Sequence, residues 1–402
     1  MVRVGFLNLG CRLNACETEW LAARKAEDSG GEVAASPLDA DLIVLGTCCV
    51  TSRSQSKSRK AARRLLAETS AGIVLAGCSA RLFPGDFPKD RRITREDCPE
   101  GPVHSCRTCR GARNRGLLRI QDGCSNRCTY CVVPDARGPS RSYGRSSILD
   151  AAGSMADAGF REIVLTGADI VSYGRDLGDS RGLPGLVGDL VECGRFRVRL
   201  GSLEPMGLAG TGLRALALPG VCRHVHLSIQ SGSTQILRRM GRACSGADVA
   251  DMAREARNAF PGGIVGCDLI AGFPGETAED FEQSLALLTG GLVDYAHVFP
   301  FSPRPGTPAS GLPDRVPAHE VSRRAAVLRR ASTAGRRRFE RAQEGRRMSV
   351  LVENRCRQGM LTGISDNYVA VAVPDGAVPG SLMDIVPSHG EIIPFAQAGE
   401  EA

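Results

Sequence analysis

Leu117-Leu-Arg-Ile-Gln-Asp-Gly-Cys124-Ser-Asn-Arg-Cys128-Thr-Tyr-Cys131 is a strand-like apolar run that passes directly into three cysteines. The thiols fall within eight residues at C-x3-C-x2-C spacing. Three thiolates so close can wrap three irons of one cluster, where bacterial ferredoxin runs place four. No fourth cysteine follows nearby, so one iron of such a cluster stays open for a substrate or cofactor. Zinc prefers paired cysteines with two further ligands at a distance, and cysteines also pack as small apolar residues. Iron–sulfur is the expectation, because the loop follows the first strand of a long run of strand–helix units.

Downstream of the loop the alternation continues. Strand-like runs are Leu117–Gln121, Glu162–Thr166, Arg197–Gly201, His224–Gln230, Gly266–Ala271 and Tyr295–Pro300. Helical stretches separate them, the clearest being Ile148–Ala158, Gly246–Ala259 and Thr277–Leu288. Six units fall short of the eight that close a TIM barrel, so the reading is an open, partial (β/α)6 barrel. In such barrels the active site lies where strands end. Thr166, Gly167, Asp169, Ser202, Glu204, Gln230 and Ser231 stand at those ends as candidate cofactor contacts, although Ser, Asp and Gly also cap helices and turn chains. Arg137 and Arg141 are candidate partners for a carboxylate or a phosphate.

Upstream, Val2–Leu9, Leu42–Leu45 and Ile73–Ala76 read as strands, with Ala15–Asp28 and Ser54–Glu68 as helices between them. Continuous apolar strands alternating with helices argue for a parallel sheet. Each strand runs into Gly10-Cys11, Thr47-Cys48 or Gly77-Cys78. Ligands of open α/β sheets sit beyond the carboxyl ends of strands, so three distant cysteines can converge there. Residues 81–116 break the pattern and read as an irregular connection. They contain Cys98, Cys106 and Cys109, for which a zinc knuckle with His104 competes with a dispensable insertion.

After a Pro-rich exit (300–308) comes an Arg-rich helix at about 319–345, then short β-like runs at Met348–Glu353, Gly359–Ile364, Tyr368–Val373 and Leu382–Val386. These suggest a small all-β barrel or sandwich. The basic helix abuts that domain, and Arg336, Arg337, Arg338, Arg346 and Arg347 are candidate phosphate contacts. Domain boundaries are therefore expected at 1–112, 113–343 and 344–402.

Composition bounds the rest. The 402 residues are 42% hydrophobic and 24% charged, as in an ordinary globular chain. The 16 cysteines are about 4% of the chain, short of the roughly 8–10% of a disulfide scaffold. Clustered thiols without that density point to metal or thiol chemistry. The net charge of +7 comes with only four lysines, so an arginine bias weakens it as evidence for nucleic acid. No apolar run approaches the roughly 20 residues that cross a bilayer, and residues 1–11 read as a strand, not a signal peptide. A cytoplasmic protein without membrane contact is expected.

C-x3-C-x2-C at the first strand of a partial barrel resembles the radical S-adenosylmethionine superfamily. Ile120–Gly138, Val164–Asp169, His226–Gly232, Ile270–Thr277, His297–Thr307, Gly10–Asn14, Thr47-Cys48 and Gly77-Cys78 look like the methylthiotransferase family, over nearly the whole chain. Arg199–Pro205 and the Pro-rich exit are most similar to the threonylcarbamoyladenosine tRNA methylthiotransferases (MtaB type). The resemblance implies methylthiolation at C2 of that adenosine, at position 37 of tRNA, with S-adenosylmethionine and two 4Fe–4S clusters. Cys124, Cys128 and Cys131 would hold one cluster; Cys11, Cys48 and Cys78 would hold the other. The terminal β segment is similar to a TRAM RNA-binding domain. Isopentenyladenosine, a ribosomal-protein aspartate and a non-catalytic RNA-binding role stand as alternatives. An electron donor and a sulfur source are implied partners, and a monomer is assumed. Two departures stand out: Gly46 where the family usually has Asn, and Cys49 beside Cys48. The short Cys78–Cys124 stretch further suggests a late strand and helix missing or altered.

Overall fold

The computed structural model describes residues 1–105, 114–208, 212–357 and 360–394. Cys106 and Cys109 lie outside the described residues, as does the side chain of Cys356.

The N-terminal part runs β1 (Arg3–Asn8), α1 (Arg12–Asp28), β2 (Glu32–Val33), β3 (Leu42–Thr47), α2 (Ser52–Glu68), β4 (Gly72–Gly77), α3 (Cys78–Leu82) and β5 (Ile93–Arg95). Its sheet is parallel throughout, in the order β2-β1-β3-β4-β5. Side chains of β3 and β4 alternate between two packed faces. Ile43, Leu45, Ile73 and Leu75 meet Ala62 and Leu65 of α2, while Val44 and Val74 meet Leu21, Ala22 and Ala26 of α1. Thr51 starts α2 with a capping box to Ser54. The expected irregular connection after residue 81 is wrong in one respect: Ile93–Arg95 pairs with β4 as a fifth strand. Three residues between turns carry too little pattern to be read in advance.

The barrel follows as β6 (Arg115–Arg119), β7 (Gln121–Asp122), α4 (Val133–Arg137), β8 (Arg141–Ser142), α5 (Arg145–Asp157), β9 (Glu162–Thr166), α6 (Gly182–Glu192), β10 (Arg197–Arg199) and β11 (Ser202–Leu203). It continues with α7 (Pro205–Leu208), β12 (His224–Gln230), α8 (Thr234–Arg239), α9 (Gly246–Ala259), β13 (Ile264–Ala271), α10 (Ala278–Thr289), β14 (Tyr295–Pro300) and α11 (Ala318–Arg341). Two parallel sheets, three-stranded β6-β9-β10 and four-stranded β11-β12-β13-β14, make the wall. The expected strand Arg197–Gly201 ends at Arg199, and Ser202-Leu203 beyond it is a separate short strand that pairs with β12. Ile163, Leu165, Val225, Leu227, Cys267 and Leu269 face the helices in one large core. The alternate residues of β12, β13 and β14 line the lumen, where His226, Asp268, Tyr295 and His297 meet. Gly266 is small because a Cβ there would strike the Tyr295 ring.

The last segment is an antiparallel sheet of β15 (Met348–Arg357), β16 (Met360–Ser365), β17 (Ala370–Ala372), β18 (Leu382–Ile385) and β19 (Ile392–Ile393), ordered β18-β15-β16-β17-β19. It closes the base of the barrel. Arg197 donates to Ser349 O (2.8 Å) and Ile364 O (3.0 Å), and Arg199 to Ser365 O (3.0 Å). Both arginines also clamp Glu162, which is fully buried. Burial works against that carboxylate, but Arg199 and Arg197 overcome it and hold the group well below its usual range. Tyr368 stacks on His224 with ring centroids 4.5 Å apart, so the C-terminal domain forms the floor of the lumen. Among the described residues no helix is long and apolar enough to cross a membrane.

Candidate active site

Cys11, Cys48 and Cys78 follow the adjacent strands β1, β3 and β4 and stand together at the sheet's carboxyl edge. Asn14 fixes this corner by donating Nδ2 to Thr47 O at 2.8 Å. Thr47 Oγ1 donates to Ala76 O (2.6 Å) and accepts from Ala80 N (2.9 Å). Gly77 has φ +87°, and a Cβ there would lie 2.6 Å from Asn14 Oδ1 and 2.7 Å from Thr47 O. Gly46 likewise leaves room for Thr18 of α1, which accounts for glycine in place of asparagine. Burial raises all three thiols, and each also feels a second member of the trio. Cys11 is reachable by solvent although ringed by protein. Cys49 turns into an apolar cluster with Cys78, Val132 and Ala136.

The second trio sits in the loop between β7 and β8, which pair antiparallel and close its base. Gly123, at φ +68°, has no room for a Cβ against Pro139 O. Cys124 N donates to Gly138 O at 3.0 Å and Cys131 N to Cys128 O at 3.1 Å. Thr129 anchors the loop to the barrel, donating N to Met240 O and Oγ1 to Arg239 O (both 2.9 Å). Burial pushes Cys124 up to about 11 and Cys131 to about 12.

Arg137 joins the trios. It rides on α4 just past Cys131, and its Nε donates to Cys78 Sγ at 3.2 Å. Its other nitrogens bridge Glu17 of α1 (2.8 Å) and Asp122 (2.8 Å), with Arg119 completing the buried network through Glu17 (2.8 Å). The expectation that Arg137 meets a ligand carboxylate or phosphate is corrected: it is 7% exposed and committed to these groups. Arg141 pairs with Glu100 on the surface at 2.6 Å.

Around Cys124, Gln121 Oε1 accepts from Asp169 N at 2.9 Å, and Asn126 Nδ2 donates to Asp169 Oδ2 at 3.1 Å. Asp169 Oδ1 is buried without a hydrogen-bond partner, and burial raises this carboxyl. Gly167 lets Gln121 approach, since a Cβ would lie 2.7 Å from its Oε1. Thr166 is buried at the end of β9, Ser202 is exposed on β11, and Gln230 ends β12 at φ +74°. Glu204 is held by Arg242, whose Nη2 also donates to Ser228 O (2.6 Å) and whose Nη1 lies 3.8 Å from Cys128 Sγ. Ser231 is corrected: it is 1% exposed, with Oγ accepting from Ser233 N at 3.1 Å and lying 3.3 Å from Ser284 Oγ, so it turns the chain instead of facing the site.

Sequence reasoning assigned no role to Arg242, Glu17 or Arg304, nor to the lumen group of His226, Asp268 and His297. Arg304 reaches from the Pro-rich exit to Ser52 (3.0 Å) and Gln55 of α2, and lies over Phe83 at 5.5 Å, pinning the Cys48 segment to the barrel. One arginine among many carries no local signal. Of the basic residues proposed for phosphate, Arg337, Arg338, Arg346 and Arg347 are exposed. Arg336 is corrected, being buried against Glu340 (2.9 Å) and Tyr368 O.

Residues 118–288 match the radical SAM superfamily, and residues 3–93 match the uncharacterized protein family UPF0004. The chain is 31% identical to the threonylcarbamoyladenosine tRNA methylthiotransferase MtaB of Bacillus subtilis, over 92% of this chain and 90% of that protein. The chain belongs to the radical S-adenosylmethionine methylthiotransferases. The ribosomal protein uS12 methylthiotransferase RimO of Desulforudis audaxviator is 32% identical, over 88% and 86% of the two chains. The tRNA-2-methylthio-N(6)-dimethylallyladenosine synthase of Thermus thermophilus is 30% identical, over 94% and 87%. The radical S-adenosylmethionine methyltransferase TsrM of Kitasatospora setae shares the fold, with a TM-score of 0.50 at 16% identity over 77% and 75% of the chains.

As a methylthiotransferase the enzyme uses S-adenosylmethionine and two 4Fe–4S clusters. Its donor sets fit them. A single zinc draws thiolates to about 2.3 Å, yet among the described residues no three ligand groups that include one of these six cysteines lie within 4.8 Å of one another. Three thiol donors apiece are the ligand type of an iron–sulfur cluster. The orphaned Asp169 Oδ1 beside Cys124 fits an N–H or O–H donor of a bound cofactor.

Proposed function

We propose that the enzyme inserts a methylthio group at C2 of N6-threonylcarbamoyladenosine at position 37 of tRNA, in the cytoplasm. The observation that carries the chemistry is the juxtaposition of two three-cysteine sites: Cys78 of one packs with Val132 and Ala136, just past Cys131 of the other, and accepts from Arg137. The nucleoside is supported by full-length similarity to threonylcarbamoyladenosine tRNA methylthiotransferases, including that of Thermotoga maritima at 30% identity.

Cys124, Cys128 and Cys131 would hold one cluster, and Cys11, Cys48 and Cys78 the other, each leaving one iron without a protein ligand. When bound, these groups supply reductive cleavage of S-adenosylmethionine and a carrier for the transferred sulfur. The chain's own residues position and protect. Asp169, steadied by Asn126 and Gln121, offers an acceptor next to Cys124. Arg242 ties Glu204 to the Cys128 side of the loop. Arg137 and Arg304 keep the N-terminal sheet in register with the barrel, and the C-terminal floor keeps water from entering the lumen from below. Exposed Arg337, Arg338, Arg346 and Arg347 are proposed as tRNA phosphate contacts.

Mass spectrometry of tRNA nucleosides with and without the gene tests this reading. Loss of the 2-methylthio nucleoside with accumulation of its threonylcarbamoyl precursor is expected. An unchanged profile overturns the tRNA assignment. The RimO relative makes an aspartate of a ribosomal protein the alternative then to be measured.

A further inference from the structure

The lumen beneath the thiol trios holds a cation that has no ion-pair partner among the described residues. Arg12 directly follows Cys11, and its Nη2 reaches across to Tyr368 OH at 3.4 Å. Tyr368 stacks on His224, and His224 Nε2 lies 2.8 Å from Tyr295 OH, so Arg12 enters the lumen between the N-terminal sheet and the floor. Three further guanidinium groups lie over the Tyr368 ring, those of Arg115 (6.0 Å), Arg199 (5.1 Å) and Arg336 (5.4 Å).

Each of those three has its own carboxylate: Arg115 pairs with Glu353 (3.0 Å), Arg199 with Glu162 (2.6 Å) and Arg336 with Glu340 (2.9 Å). Asp268, the acid in the lumen wall, is engaged by His226 (3.1 Å) and His297 (3.3 Å). Arg12 has no carboxylate within ion-pair distance among the described residues, and its one hydrogen bond is long. A guanidinium offers five N–H donors and suits a carboxylate in a two-pronged fit. It is half-buried, so an anion could reach it.

We propose that Arg12, backed by Tyr368, is the subsite that binds a carboxylate on the substrate, and that this contact selects the nucleoside. The inference rests on the proposed threonylcarbamoyladenosine reading. In that nucleoside the limb on N6 ends in a carboxylate, and only the ring nitrogen N1 and carbon C6 separate C2 from the limb. The carboxylate lies four bonds beyond N6, so a residue reading it must lie within a side chain's reach of the site that delivers sulfur to C2, and Arg12 directly follows Cys11 in the chain. An isopentenyl limb presents no anion to this cation.

The test measures binding of three anticodon stem-loop RNAs, by fluorescence anisotropy, to apo and iron-reconstituted protein. One RNA carries N6-threonylcarbamoyladenosine, one the same group with its carboxylate converted to a carboxamide, and one plain adenosine. R12Q is expected to weaken the first by about tenfold or more, the scale of one charge-assisted contact, and to leave the other two unchanged. R12K, which keeps the charge, is expected to recover part of the loss. Iron content and electron paramagnetic resonance confirm that both clusters assemble; if R12Q binds less iron, its apo form is compared with apo wild type. Equal binding of the carboxylate and carboxamide RNAs by wild-type protein overturns the subsite, as does an equal loss on all three RNAs in R12Q. Wild-type protein that methylthiolates the first RNA while showing either result loses only the subsite. Failure to methylthiolate that RNA removes the proposed nucleoside as well.

Discussion

Arg137 shows how one side chain can serve structure and chemistry together. It neutralises Glu17 and Asp122 inside the protein and donates to Cys78 Sγ. Arg137→Met would leave two buried carboxylates short of their partner. The expected cost is about 3–5 kcal/mol, measured by urea unfolding of the apo protein, with partial recovery in the Arg137→Met, Glu17→Gln pair. The role was not legible beforehand, because Glu17 and Arg137 are 120 residues apart and nothing local marks their meeting. Tyr368 gives a second test at this scale. Burial by itself would raise its phenol, but Arg12, Arg115, Arg199 and Arg336 outweigh it and bring the group down to about 8. A lowered pKa in the fold means that stability rises with pH from about 8 to the ordinary tyrosine value near 10, and gains nothing from this group at lower pH. Ultraviolet titration is expected to show one phenol ionising near pH 8, absent in Tyr368→Phe.

At the scale of elements, the path of the loop from Gly123 to Ser140 is fixed by contacts of the chain itself: the β7–β8 pair, the Gly123 turn and the Thr129 anchor. Gly123→Ala forces a side chain onto a left-handed residue and against Pro139 O. Iron content is expected to fall by about half, with the N-terminal cluster retained; full iron loading would show that the loop tolerates the change. The strands that position both trios were legible, because continuous apolar runs ending in Gly-Cys or Thr-Cys carry a pattern of their own. The strands β5 and β11 were not, being three and two residues long, with pairing set by their neighbours. Arg336 was misread for the opposite reason: an Arg-rich run looks uniformly exposed, yet helical periodicity turns Arg324 and Arg336 inward onto Glu276 and Glu340.

Across the whole molecule, the C-terminal domain forms the floor of the lumen and is proposed to contact tRNA, and the two roles separate by experiment. Arg346→Glu with Arg347→Glu changes two exposed residues. It is expected to leave thermal stability within about 0.5 kcal/mol per site and to weaken tRNA binding, with a salt slope lowered by roughly one for each phosphate that is no longer neutralised. Ending the chain before Met348 instead strips Ser349, Ile364 and Ser365 from Arg197 and Arg199 and uncovers Tyr295. That truncation is expected to aggregate or unfold at lower urea, not merely to lose RNA affinity. The floor also sets an order in time. Arg12 leaves the ribosome 356 positions ahead of Tyr368, yet the two meet in one hydrogen bond. The reaction chamber therefore has no complete wall while the chain is being made, and a nascent enzyme cannot begin radical chemistry on a half-built site.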